Sequence, residues 1–233
     1  MNNTQKSPLQ EAVEQAHAKG RRAVIPFITA GFPDMDSFWT HLERIDAAGA
    51  DIIEIGVPFS DPVADGPVIE DASRDALARG VSLKWILDGL KARKGQFSAK
   101  LALMGYVNPF YQYGLENLAR DAAEAGVYGF IVPDMPLEES GMFRKVFAPY
   151  GLTLVTLVAP NTSVERMKEY KPCTEGFVYV VSVLGTTGGK TDLEQSVAET
   201  MRRARSVFDV PLALGFGLQT PDQLEALPED ARP

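Results

Sequence analysis

One cysteine, Cys173, and two histidines, His17 and His41, are all that 233 residues offer of the softer metal ligands. A lone thiol cannot close an internal disulfide, and no Cys/His cluster has metal-ligand spacing, which excludes a disulfide scaffold and a structural zinc site and favours a reducing compartment. No run of about 18 apolar residues occurs, and the opening Met-Asn-Asn-Thr-Gln-Lys-Ser-Pro has no signal-peptide core, so cytoplasmic placement and no membrane contact are expected. Positive charge is short as well. Against 31 acidic residues stand 23 basic ones, a net charge of −8, which argues against a nucleic-acid or anionic-membrane binder and requires any phosphate to be held by local geometry.

What is present is ordinary globular composition, 45% hydrophobic and 23% charged, in a length that α/β barrels use as a single domain, here residues 1–233. Seven short apolar, β-branched runs, at 23–29, 51–56, 100–105, 129–133, 152–158, 176–182 and 211–215, alternate with segments of helical periodicity. The helical segments are 9–18, 37–48, 68–78, 82–90, 115–125, 138–147, 164–170 and 193–208. This is the pattern of βαβ units around a parallel sheet covered on both faces. An open doubly wound sheet and a (β/α) barrel both satisfy it. The first strand is followed by Thr-Ala-Gly-Phe-Pro-Asp without a G-x-G-x-x-G turn, and polar or glycine-rich stretches follow several strands, which favours the barrel with its site at the strand C-termini.

The stretch Ile-Glu-Ile-Gly-Val-Pro-Phe-Ser-Asp-Pro-Val-Ala-Asp-Gly-Pro, residues 53–67, concentrates the chemistry. Alternation puts Glu54 on the face of its strand opposite Ile53 and Ile55. It is either a buried half of an ion pair or an unpaired acid whose pKa is lifted by desolvation, fit to donate a proton near neutrality. Asp61 and Asp65 lie in the proline-rich loop that follows. Asp61 fits a turn or helix cap, whereas Asp65 is a turn residue or a second, wetter carboxylate carried over the site. Glycines at 185–189 and 215–217 are turn residues or backbone cradles for a phosphate. Phe27, Tyr106, Tyr179 and Phe216 are core residues by default, or the walls of an aromatic site.

Those residues carry a resemblance. The 53–67 run, with Pro-Phe-Ile-Thr-Ala-Gly-Phe-Pro-Asp at 26–34, Met-Gly-Tyr-Val-Asn-Pro at 104–109, Val-Pro-Asp-Met-Pro-Leu-Glu-Glu at 132–139 and Gly-Phe-Val-Tyr-Val-Val-Ser at 176–182, resembles the tryptophan synthase α-subunit family. The resemblance implies a (β/α)8 TIM barrel and a lyase that cleaves indole-3-glycerol phosphate to indole and glyceraldehyde 3-phosphate by a retro-aldol reaction. It implies Glu54 and Asp65 as catalytic residues, and Phe27 and Met104 beside the indole. Tyr179 becomes a site residue, Thr187 and Gly188 part of a mobile loop, and Phe216 and Gly217 part of the phosphate-side loop. It also implies a β-subunit partner in an α2β2 complex, with pyridoxal phosphate in that partner and no cofactor in this chain. An eighth strand and helix of the family have no counterpart after 227–233, so the chain is expected to be a truncated barrel that aggregates, exchanges elements with a second copy or binds glycerol phosphate poorly. A sugar-phosphate isomerase sharing the phosphate loops, and a non-catalytic allosteric subunit, are the competing readings.

Overall fold

The computed structural model describes residues 6–181, 190–215, 221–225 and 227–233. They form two compact units, Met1–Leu154 and Val155–Pro233. In the first, helix α1 (Pro8–Ala18) precedes β1 (Phe27–Thr29), α2 (Met35–Ala47), β2 (Ile52–Gly56), α3 (Pro67–Ala78), α4 (Leu83–Ala92), β3 (Lys100–Met104), α5 (Val107–Tyr113), α6 (Leu115–Ala125), β4 (Val127–Ile131), α7 (Leu137–Phe147) and β5 (Thr153–Leu154). In the second, β6 (Thr156–Val158), α8 (Val164–Tyr170), β7 (Val178–Val181), α9 (Lys190–Val207), β8 (Leu212–Gly215) and α10 (Pro221–Glu225) follow.

Each sheet keeps strict chain order, β1-β2-β3-β4-β5 in one and β6-β7-β8 in the other, with every pairing parallel. A doubly wound sheet would reverse its order at a switch point. Neither sheet does, so the barrel-type winding expected from the loops is the one observed. The apolar run at 152–158 is two strands rather than one: Thr153–Leu154 pairs with β4 and Thr156–Val158 with β7, and Val155 between them belongs to neither ladder.

Local signals explain most boundaries. Ser7, Asp34, Ser82 and Ser163 cap α1, α2, α4 and α8 by accepting from first-turn N–H groups, each worth about 1 kcal/mol. Gly126 ends α6 in the left-handed conformation, φ 81°, where any side chain would strain. Helix α5 has no such local signal. Its first N–H, on Val107, is taken by the carboxylate of Asp134 at 3.0 Å, a residue supplied by the loop after β4.

The helix-facing side of the first sheet packs Ile53, Ile55, Leu101, Leu103 and Phe130 into one core. An aromatic series crosses it, Phe110 to Phe130 to Phe147 to Phe143, with centroids 5.3, 4.5 and 5.8 Å apart. The opposite side is closed below by α1. Leu9 is fully buried and reaches the backbone of Gly129, where a Cβ would lie 2.7 Å from its methyl carbon, and Ser7 Oγ lies 2.6 Å from Thr153 Oγ1. In the second unit Val158, Val178 and Val180 pack with Met201 and Ala204 of α9. Among the described residues no helix is long and apolar enough to cross a membrane.

Trp39 of α2 packs against Phe38 and Trp85 at 4.8 and 5.0 Å, under the guanidinium of Arg93 at 4.2 Å. Gly89 of α4 gives the ring its place, because a Cβ there would overlap it. Gly89→Ala therefore sets a helix-propensity gain of about 1 kcal/mol against an overpacking cost of about 1–3 kcal/mol. The overlap is with a rigid indole, so a net loss of about 1–2 kcal/mol is expected in urea unfolding. A variant as stable as the parent would show that the Trp39 cluster yields freely.

Candidate active site

The parallel register places Glu54 beside Phe27 on β1 and Ala102 on β3, and Ala102 beside Gly129 on β4. Ile53 and Ile55 join the helix-covered core, so Glu54 projects from the opposite face, as alternation requires. It is 3% exposed. Among the described residues its carboxyl has no hydrogen-bond or ion partner, and the one cation on these strands, Lys100, holds its ammonium 5.0 Å over the Tyr128 ring. Desolvation without compensation pushes the Glu54 pKa up to about 8, which leaves the carboxyl protonated at neutral pH. The unpaired reading of Glu54 is therefore the observed one.

One register step toward the strand C-termini lie Thr29, Gly56 and Met104, which with Phe27, Asp65 and Tyr106 line a cleft. Gly56 is required there, since a Cβ would come within 2.5 Å of the Phe27 ring. Phe27 and Met104 give the cleft an aromatic and a pliable apolar wall. Asp65 reaches it from the loop between β2 and α3. Burial raises its pKa, a hydrogen bond from the Tyr106 hydroxyl lowers it, and the charge of Glu70 raises it again. Tyr106 also accepts from the Ala64 N–H at 3.1 Å and stacks near Phe59 at 5.5 Å, so one residue at the end of β3 fixes the loop that carries Asp65. Asp65 is not a helix cap: Gly66 begins α3 without any side-chain cap bond. Asp61 stays exposed and accepts from the Ser60 hydroxyl, so the capping expected of it is not seen at α3 either.

Asp65, Phe27 and Met104 thus share one cleft in the first unit, and Glu54 lies on the same face of the sheet, beside Phe27 in the register. Tyr179 lies in the second, buried on β7, its hydroxyl against Gly215, whose lack of a side chain makes room for it. Thr187, Gly188, Phe216 and Gly217 lie outside the described residues. His17 is exposed and His41 half-buried on their helices, away from the cleft lining. Sequence reasoning passed over Thr29 and Ser73 and left Tyr106 as a wall, not a link to Asp65. Among the described residues no group of His, Cys, Asp and Glu could hold a metal ion.

Comparison with known proteins bears on what this arrangement does. The family model described as "Tryptophan synthase alpha chain" matches residues 13–231. The tryptophan synthase alpha chain of Desulfovibrio desulfuricans is 61% identical over 225 residues, covering 97% of this chain and 88% of that one. That of Nitratidesulfovibrio vulgaris is 56% identical over 227 residues, with the same two coverages of 97% and 88%. Among solved structures, a tryptophan synthase of Mycobacterium tuberculosis superposes with a TM-score of 0.86 at 33% identity, over 94% of this chain and 84% of that one. The tryptophan synthase subunit alpha of Legionella pneumophila gives 0.83 at 32%, over 94% and 82%.

The dry carboxyl has a signature in stability. Between its ordinary value of 4.5 and about 8, Glu54 binds a proton in the folded chain that the unfolded chain has released. Stability must therefore fall as pH rises through that window and level off above it. Glu54→Gln stays neutral throughout. Relative to the parent it should gain on the order of a few kcal/mol between about pH 5 and about pH 9 in urea unfolding, since one proton bound by the folded chain alone is worth ~1.4 kcal/mol for each pH unit crossed. A difference independent of pH would mean that Glu54 is hydrated.

Proposed function

The chain belongs to the tryptophan synthase alpha chain family, and on that footing we propose how its two carboxyl groups divide the reaction. The fold class is that of the (β/α)8 TIM barrel. The protein is a lyase of tryptophan biosynthesis, cleaving indole-3-glycerol phosphate to indole and glyceraldehyde 3-phosphate, and it partners the tryptophan synthase β subunit in an α2β2 tetramer.

The observation that supports the assignment is the contrast between a dry acid, Glu54, beside Phe27 in the strand register, and a hydrogen-bonded, half-buried one, Asp65, in the cleft that Phe27 lines. Indole leaves as a neutral ring only if C3 is protonated first. Glu54, still protonated near neutrality, delivers that proton. The resulting indolenine carries positive charge at its N1–H, and the Asp65 carboxylate offsets it. The side-chain hydroxyl then gives its proton to the Glu54 carboxylate, its oxygen forms the aldehyde C=O, and the electrons of the broken carbon–carbon bond return to the ring. Phe27 and Met104 hold the indole. Tyr179, Thr187, Gly188, Phe216 and Gly217 are assigned to the remainder of the substrate and its phosphate.

Acid–base chemistry of this kind needs no cofactor in this chain, and pyridoxal phosphate belongs, on this reading, to the β subunit. The single cysteine, the acidic balance and the absence of a membrane-crossing helix among the described residues favour the cytoplasm.

Glu54→Gln should lower kcat by roughly 10²–10⁴ with KM little changed, the usual worth of a positioned general acid–base. Retention of more than about a third of the parental rate would remove Glu54 from the chemistry. Asp65→Asn should lower kcat roughly 10–10³-fold, because an amide does not offset the indolenine charge. If its folded fraction turned over normally while the protein melted early, Asp65 would be a loop residue only.

A further inference from the structure

Two polar side chains of the cleft take no part in the steps above. Thr29 ends β1, and Ser73 lies on α3 one turn beyond Ile69, both lining the same cleft as Asp65. They are 5% and 4% exposed, and among the described residues neither hydroxyl has a hydrogen-bond partner. That is unusual for a serine inside a helix, whose hydroxyl commonly bonds a backbone carbonyl of the preceding turn. Ser140 does so to the Leu137 carbonyl at 2.7 Å, and Thr200 to that of Ser196 at 2.8 Å. Ser73 keeps its hydroxyl free for the cleft. Neither oxygen is sealed from solvent, and a water held in such a cleft has about three polar partners.

Resting on the reading of Asp65 given above, we propose that Thr29 and Ser73 hold one water molecule against the Asp65 carboxylate. The two hydroxyls and the carboxylate supply its three partners. The water donates to the carboxylate and replaces bulk solvent once indole fills the space between Phe27 and Met104. The balance of charge around Asp65 makes such a donor useful. Tyr106 gives one hydrogen bond from the end of β3, Glu70 on α3 repels, burial disfavours the anion, and no cation is among the groups acting on it. Thr29 and Ser73 are positioning residues, since they act on indole through Asp65.

The test is the pH dependence of kcat/KM, which reports ionisations of the free enzyme, for Thr29→Val, Ser73→Ala and the pair, each assembled with the β subunit. With its water lost, Asp65 takes up a proton at higher pH, so the acid limb should move toward neutrality. On that limb kcat/KM should fall roughly 10–100-fold, the range spanned by one lost hydrogen bond to a charged group, with the plateau much less affected. Thr29→Ser should restore the parental limb, whereas a packing defect would lower the whole curve and the melting temperature together. If Thr29→Val fails to fold, Ser73→Ala decides alone, because alanine favours the helix. An unmoved acid limb in the folded variants overturns the water. The Asp65→Asn background separates the two ideas. If that variant is slow and the hydroxyl substitutions add nothing to it, the water acts through Asp65; additive losses overturn it. A fast Asp65→Asn enzyme instead overturns the reading on which the water rests.

Discussion

Moving a carboxyl from water into an apolar interior costs several kcal/mol if it stays charged, and a fold that tolerates one must let it keep its proton or supply a cation. The parallel register around Glu54 takes the first course. Its in-row neighbours Phe27 and Ala102 offer no charge, Gly129 beyond them offers only the space that Leu9 fills, and Lys100 is turned onto Tyr128. The site is built on that dryness. A cation placed in the same row would favour the ionised form and remove the proton the reaction uses. The aromatic series beneath the helices packs on the other face of the sheet, so that part of the stability is gathered where it does not hydrate the acid.

The second carboxyl is handled in the opposite way. Asp65 lies on a loop held at one point by Tyr106, which is itself set at the start of α5, a helix whose first N–H is bound by Asp134. Three consecutive strand ends, those of β2, β3 and β4, therefore fix a single aspartate. A loop so supported presents a carboxyl group at a defined place with a hydrogen-bond donor that works against the upward pull of burial on its pKa. The two acids differ in setting: Asp65 has the Tyr106 hydroxyl, and Glu54 has no such partner among the described residues.

The strands, most helices and the placing of Glu54 on the face opposite Ile53 and Ile55 were legible in the sequence because each is decided by residues close in the chain: β-branched runs, N-caps and period-two alternation. What escaped depends on distant partners. Helix α5 was missed since its cap, Asp134, comes 27 residues after the N–H it binds. The link from Tyr106 to the loop spans 42 residues to Ala64, and no local pattern marks it. The run at 152–158 reads as one strand, yet its two halves answer to different partners, β4 and β7. Thr29 and Ser73 gave no signal, since a threonine ending a strand and a serine in a helix are commonplace until their burial is known. Tyr179 was placed on its strand correctly, but the need for glycine at 215 follows only from where its hydroxyl ends.

The bond between Ser7 and Thr153 joins residues 146 positions apart. A ribosome adding about 5–20 residues per second needs roughly 7–30 s to pass from one to the other. Over that interval Leu9, Val13 and Ala16 have been made while β5, whose Thr153 meets Ser7, has not, and so short a helix is marginal by itself. The segment that seals the dry side of the sheet therefore waits for its last bond until β5 follows. In a nascent chain of this protein the apolar stripe of α1 is thus made long before the bond that fixes its start can form.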